Sequence, residues 1–212
     1  YLTYWRCLAA INLVFPLVVC DTNTGALAYF LEESPEENYI CYRALFSPYN
    51  QIIATYCWDG RVHLWEAASG KYLHSLQGDH LGVSALAFSP DGSLLVSADA
   101  DGLMKLWNPG DGALVNSLQV VEPAPITDLA FSPDGQYLAC TTGRDYPKVV
   151  VWDVASGEQV TWLGFNDGVS SAAFSPDGEL LAVVIRFEFV EKLEIWDWQG
   201  QNLLRHFSWK WD

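Results

Sequence analysis

Asp79 and His80 stand side by side, the kind of pair in which a carboxylate orients an imidazole for general-base work, and His63, His74 and His206 are the other imidazoles of the chain. A base of this kind needs a nucleophile or a polarised substrate to act on. No serine or cysteine sits in a Gly-x-Ser-x-Gly turn, no His-Glu-x-x-His or cysteine-histidine metal spacing occurs, and no glycine-rich loop leads into a helix. His63 and His74 alternate with their neighbours inside strand-like runs, the pattern of ordinary half-buried positions. These residues give no reason to expect an enzyme, a metal or a cofactor.

Cys7, Cys20, Cys41, Cys57 and Cys140 are odd in number, widely spaced and never in a Cys-x-x-Cys pair. Buried free thiols in a reducing compartment are expected, and with them a cytoplasmic protein. Carboxylates crowd at Glu32-Glu33-Ser34-Pro35-Glu36-Glu37, which lacks the alternating oxygen spacing of a calcium loop. That run reads either as a solvated loop or as a dock for a basic peptide. A net charge of -15 and a pI of about 4.4 oppose binding to nucleic acid or to an anionic membrane surface. The apolar stretch from Leu8 to Cys20 follows Arg6 as a signal segment would, but it contains Asn12 and Pro16 and is too short to span a bilayer. The first residue is Tyr1, so a piece of a longer protein is expected.

Positioning falls to a repeat. Phe-Ser-Pro recurs at Phe46-Ser47-Pro48, Phe88-Ser89-Pro90, Phe131-Ser132-Pro133 and Phe174-Ser175-Pro176, at spacings of 42, 43 and 43 residues. The last three copies continue as Asp91-Gly92, Asp134-Gly135 and Asp177-Gly178, where glycine supplies the positive φ of a tight hairpin; the first has Tyr49-Asn50, and asparagine tolerates the same backbone. A second marker keeps step: Trp65-Glu66, Trp107-Asn108, Trp152-Asp153 and Trp196-Asp197, followed by Gly70, Gly112, Gly157 and Gly200. Carried backwards, the register places Val18-Val19-Cys20-Asp21 and Gly25 in an eroded first unit. Each unit reads as four short strands; in the cleanest they are 83–88, 94–97, 103–107 and 113–118. No amphipathic helical period is present over a useful length.

These residues resemble WD repeats, and Phe-Ser-Pro-Asp-Gly together with Trp-Asp-Val-Ala-Ser-Gly at 152–157 resembles the regular bacterial-style version, over about nine tenths of the chain. The resemblance implies an all-β chain, a β-propeller of four-stranded antiparallel blades set around a channel. About five blades are visible, at 1–31, 41–76, 83–118, 126–163 and 169–207, a single WD-repeat domain or fragment over 1–212. A ring of about seven blades is expected, of which this is an open arc; a closed five-bladed ring is the alternative. An open arc would self-associate through exposed blade faces.

The resemblance also implies a stabilising tetrad of histidine, serine or threonine, aspartate and tryptophan in each blade. One unit matches throughout, with His80, Ser97, Asp101 and Trp107. Another has Thr55, Asp59 and Trp65 without a histidine; the next has Asp145 and Trp152, with Thr141 one place out of register; the last has Trp196 and no matching aspartate.

Function is expected where the repeats differ. From Phe to Trp the separations are 19, 19, 21 and 22 residues, and the additions fall between second and third strands. By the resemblance, that connection shares the narrower face with the loop leading into each blade. Candidate partner-binding residues are therefore Trp58, Arg144 with Asp145 and Tyr146, Arg186 and Phe187 with Glu188 and Phe189, and Glu36 and Glu37. Phe187 and Phe189 read equally as the inner face of a lengthened hairpin. The expected function is a scaffold binding a protein or a basic peptide, without a catalytic step; the alternative is an enzyme-associated propeller with active groups at the channel mouth.

Overall fold

The computed structural model describes residues 18–20, 24, 26–31, 41–57, 59–77, 82–122, 124–143, 145–187 and 190–210. Among these there is no helix. A two-stranded antiparallel ribbon, β1 (Val18–Cys20) and β2 (Leu27–Phe30), precedes four sheets of four strands. The first sheet holds β3 (Cys41–Phe46), β4 (Ile52–Cys57), β5 (Val62–Glu66) and β6 (Tyr72–Leu76). The second holds β7 (Val83–Phe88), β8 (Leu95–Asp99), β9 (Leu103–Trp107) and β10 (Leu114–Gln119). β11 (Ile126–Phe131), β12 (Tyr137–Thr142), β13 (Lys148–Asp153) and β14 (Gln159–Gly164) form the third. β15 (Gly168–Phe174), β16 (Leu180–Phe187), β17 (Val190–Asp197) and β18 (Asn202–Lys210) form the fourth. Every sheet is an antiparallel meander with neighbours in chain order, the blade architecture that the repeat implied.

The hairpins explain why the meander forms at these residues. In the turn after β7 the Ser89 carbonyl accepts from Gly92 N–H at 2.9 Å, and Ser89 Oγ accepts from Leu94 N–H at 2.9 Å. The same pair of bonds recurs at Ser132 and Ser175. At the first copy Asn50 takes φ 53°, against 71° at Gly92, so asparagine does serve for glycine there. The same serine hydroxyls also donate to the carboxylates of Asp91, Asp134 and Asp177. Hydrogen bonds from Ser89, Ser132 and Ser175, and from backbone N–H groups, hold those carboxyls below the usual aspartate value.

Both faces of the middle strands are buried, and alternation assigns each face to a different neighbour. Trp65 and Ile53 pack toward Val19 of the ribbon and Leu31 just after it, whereas Val62, Leu64 and Leu76 pack against Leu86, Leu95 and Trp107 of the next blade. Trp152 in turn packs with Met104, Leu106 and Leu118. The blade tryptophans thus point backwards, each into the sheet that precedes it. β7 approaches β11, and β11 approaches β15, which puts the first strands of these blades side by side.

Two expectations change. Cys41 and Cys57 are opposite in the β3–β4 register and joined as a disulfide, so the reading of all five cysteines as free thiols does not hold. Cross-strand pairing brings together two residues 16 apart in sequence, a proximity no linear motif displays. His63 is not half-buried but fully enclosed, because both faces of β5 are covered. Cys20 and Cys140 are free, Cys140 within the core.

Candidate functional site

Strand pairing sets a common register for the polar line across each blade. Thr55 lies opposite His63, Ser97 opposite Lys105, Cys140 opposite Val150 and Val183 opposite Glu194, each partner two residues before the blade tryptophan. In the second sheet Trp107 Nε1 donates to Ser97 Oγ at 2.9 Å, both residues buried. In the third, Cys140 holds the place of Ser97, and the Trp152 Nε1 is buried without a hydrogen-bond partner among the described residues. Burial pushes the Cys140 thiol up to about 11, the indole opposing the shift. Thr141 points elsewhere and shares a 2.7 Å hydroxyl bond with Thr127. In the fourth, Trp196 Nε1 donates to Glu194 Oε2 at 3.0 Å.

The turn aspartates divide. Asp99 is buried, and its Oδ1 accepts from the N–H groups of Asp101 and Leu103, each at 2.9 Å. Asp101 is exposed, and its carbonyl accepts from Gln119 Nε2 at 3.0 Å. Its expected partner His80 lies outside the described residues. Asp59, by contrast, does meet an imidazole: His63 Nε2 is 2.8 Å from Asp59 Oδ2. That histidine comes from the third strand of its own blade rather than from the loop before the first strand. Cys57 completes a group in which the ligating atoms of Cys57, Asp59 and His63 lie within 4.8 Å of one another. Sequence inspection missed it because a disulfide cysteine, a turn aspartate and a strand histidine match no linear metal motif.

Of the candidate partner-binding residues, Trp58, Arg144, Glu36, Glu37, Glu188 and Phe189 lie outside the described residues, as does the Phe187 side chain. Tyr146 is exposed, and its carbonyl accepts from Thr142 Oγ1. Asp145 is exposed as well. Arg186 is exposed and paired with Glu191, Nε to Oε1 at 2.7 Å. Along the same edge, Lys148 near the start of β13 reaches Glu122 in the preceding loop at 2.6 Å, and Lys192 on β17 reaches Asp167 at 3.2 Å. Lys105 makes the corresponding reach to the Gln77 carbonyl at 3.5 Å and lies over the Trp107 ring. A lysine on the third strand thus ties down the loop that leads into each of these blades.

Among the described residues no helix is long and apolar enough to cross a membrane. The family profile for the WD domain, G-beta repeat, matches residues 34–66, 70–108 and 115–153, a little over half of the chain. A WD repeat-containing protein of Synechocystis sp., sll1491, is 39% identical over 79 residues, which cover 37% of this chain and 21% of the relative. The matched stretch therefore spans about a fifth of that relative's length. With the register of serine turns, blade tryptophans and four-stranded meanders already in place, the conclusion is that this chain belongs to the WD-repeat family.

Proposed function

We propose that this chain is a scaffold that binds a protein or peptide on the edge formed by its second-to-third-strand hairpins and leading loops, and that it performs no chemical step. WD repeats serve protein interaction in general. The observation that carries the reading is a division of labour. The recurring serines, tryptophans and turn aspartates are consumed in hairpin and core bonds, while the hairpins that differ in length carry the exposed Tyr146 and Arg186. The lysine–carboxylate ties to Glu122 and Asp167 fix that edge before a partner arrives, which lowers the ordering cost of binding.

The acidic charge favours a basic partner. Trp58, Arg144, Tyr146, Arg186, Phe187, Glu36 and Glu37 form the proposed contact set. A test is fluorescence anisotropy with lysine- and arginine-rich peptides against acidic peptides of equal length. Binding of the basic set, weakened about tenfold or more by Trp58→Ala or Tyr146→Ala, is the expected result. Equal binding by wild type and both variants removes the reading.

In this reading the intact propeller has about seven blades, works in the cytoplasm, and self-associates when its ring is open. Light scattering and small-angle X-ray scattering together distinguish an extended, associating arc from a compact monomer. Alkylation of the thiols in freshly lysed cells tests the placement: Cys41 and Cys57 labelled as thiols agree with a reducing compartment, and an intact disulfide overturns it.

A further inference from the structure

A cluster unused by the scaffold reading lies at the hairpin between the second and third strands of the first complete blade. Cys57 ends β4, Asp59 sits in the following hairpin and His63 is on β5, so a single hairpin brings all three to one point. Cys57 and His63 are buried, while the Asp59 side chain keeps 23% of its surface in solvent. The group therefore has an enclosed floor and a carboxylate at its mouth. Thr55 Oγ1 stands 3.4 Å from Cys57 Sγ and 3.6 Å from Cys41 Sγ, so both sulfurs border the same space.

Sulfur, imidazole nitrogen and carboxylate oxygen make a borderline-soft donor set, which suits zinc and not calcium or magnesium. A divalent cation with one thiolate, one carboxylate and a neutral imidazole is charge-balanced, and a second thiolate leaves one negative charge. Tetrahedral zinc with ligands at about 2.0 Å holds nitrogen and oxygen about 3.3 Å apart. The 2.8 Å His63–Asp59 contact then opens by about half an ångström, a small rotation at an exposed carboxylate. In the disulfide neither sulfur is a thiolate, and the set lacks its strongest donor.

We propose that reductive opening of the Cys41–Cys57 disulfide creates a zinc-type cation site built from Cys57, Asp59 and His63, with Cys41 as the sulfur in reach of the fourth position. The reductant is a dithiol. Its two thiol hydrogens and two electrons pass to the sulfurs of Cys41 and Cys57 as their S–S bond breaks, and it departs as a disulfide. Cys57 then releases its proton to solvent as the cation binds. Reoxidation by a disulfide reverses the step and ejects the cation. The site would make the geometry of this hairpin, with Trp58 between two ligands in sequence, depend on redox state.

The experiment uses the intact protein, reduced with excess dithiol, freed of it under argon and titrated with cobalt(II). The expected result is about one equivalent bound with tetrahedral ligand-field bands and a thiolate charge-transfer band, both bleached by zinc. The disulfide form should show neither. Cys57→Ser should lose the charge-transfer band, and Asp59→Asn should weaken affinity about tenfold or more. Reduced protein without the band, or a band unchanged in Cys57→Ser, overturns the proposal. So does a reduced chain that has lost its β-sheet circular dichroism, since the ligands would no longer converge. Peptide binding is not read in this assay, so its outcome stands apart from the scaffold reading.

Discussion

Trp107 donates its indole hydrogen to Ser97 across 2.9 Å of enclosed space, whereas in the next blade Cys140 takes the serine's place and the buried Trp152 Nε1 makes no such bond among the described residues. Ser97→Ala leaves the Trp107 donor buried with nothing to receive it, at a cost of about 1–3 kcal/mol. Ser97→Cys is expected to cost clearly less, because the neighbouring blade already tolerates that chemistry. Urea midpoints for the two variants check the order; equal losses would mean that sulfur does not replace the hydroxyl as the acceptor for the indole.

Gly112 has φ 74°, and a Cβ there would come within 2.9 Å of the His74 ring in the preceding blade. Gly82 has φ 80° with open space around it. Gly82→Ala should therefore pay only the left-handed backbone penalty of about 1–2 kcal/mol. Gly112→Ala should lose more, since the ring must also move. Thermal unfolding of the pair separates backbone strain from contact between blades.

Asp91, Asp134 and Asp177 sit below the ordinary value of 3.8 because serine hydroxyls and backbone N–H groups bond their charged form. The unfolded chain takes up these protons first as pH falls, so their contribution is complete above about 3.8 and disappears as pH drops through the lower folded values. A triple Asp→Asn variant keeps the turn shape and removes the titration. Its deficit against wild type should be fullest near neutral pH and shrink below about 3.8; a deficit independent of pH would refute the linkage.

Cys140 is buried with its thiol raised to about 11, so at pH 8 only about one molecule in a thousand carries the thiolate. Maleimide should leave Cys140 unmodified in native protein while labelling the partly exposed Cys20. Mass spectrometry after proteolysis reads both sites. Labelling of Cys140 should then track denaturant-induced unfolding.

Much of the architecture was legible because it is periodic. The Phe-Ser-Pro turns and tryptophans announced the blades, and β7 and β9 occupy the stretches read from sequence at 83–88 and 103–107. Side-chain partners were less visible because they depend on strand pairing. Thr141 drew attention as a hydroxyl out of register, whereas the residue in register is Cys140, which a search for serine or threonine passes over. His63 looked ordinary because its partner Asp59 is across a hairpin, and the Cys41–Cys57 bridge follows from a cross-strand register that spacing does not encode.

The backward tilt of the tryptophans has a consequence for biogenesis. Trp65, Trp107 and Trp152 each complete a core whose other wall was translated earlier. A blade leaving the ribosome thus finds its docking surface already made, and it need not wait for sequence still to come. The row of blades can grow vectorially, one sheet templating the next, with the newest blade always the least protected.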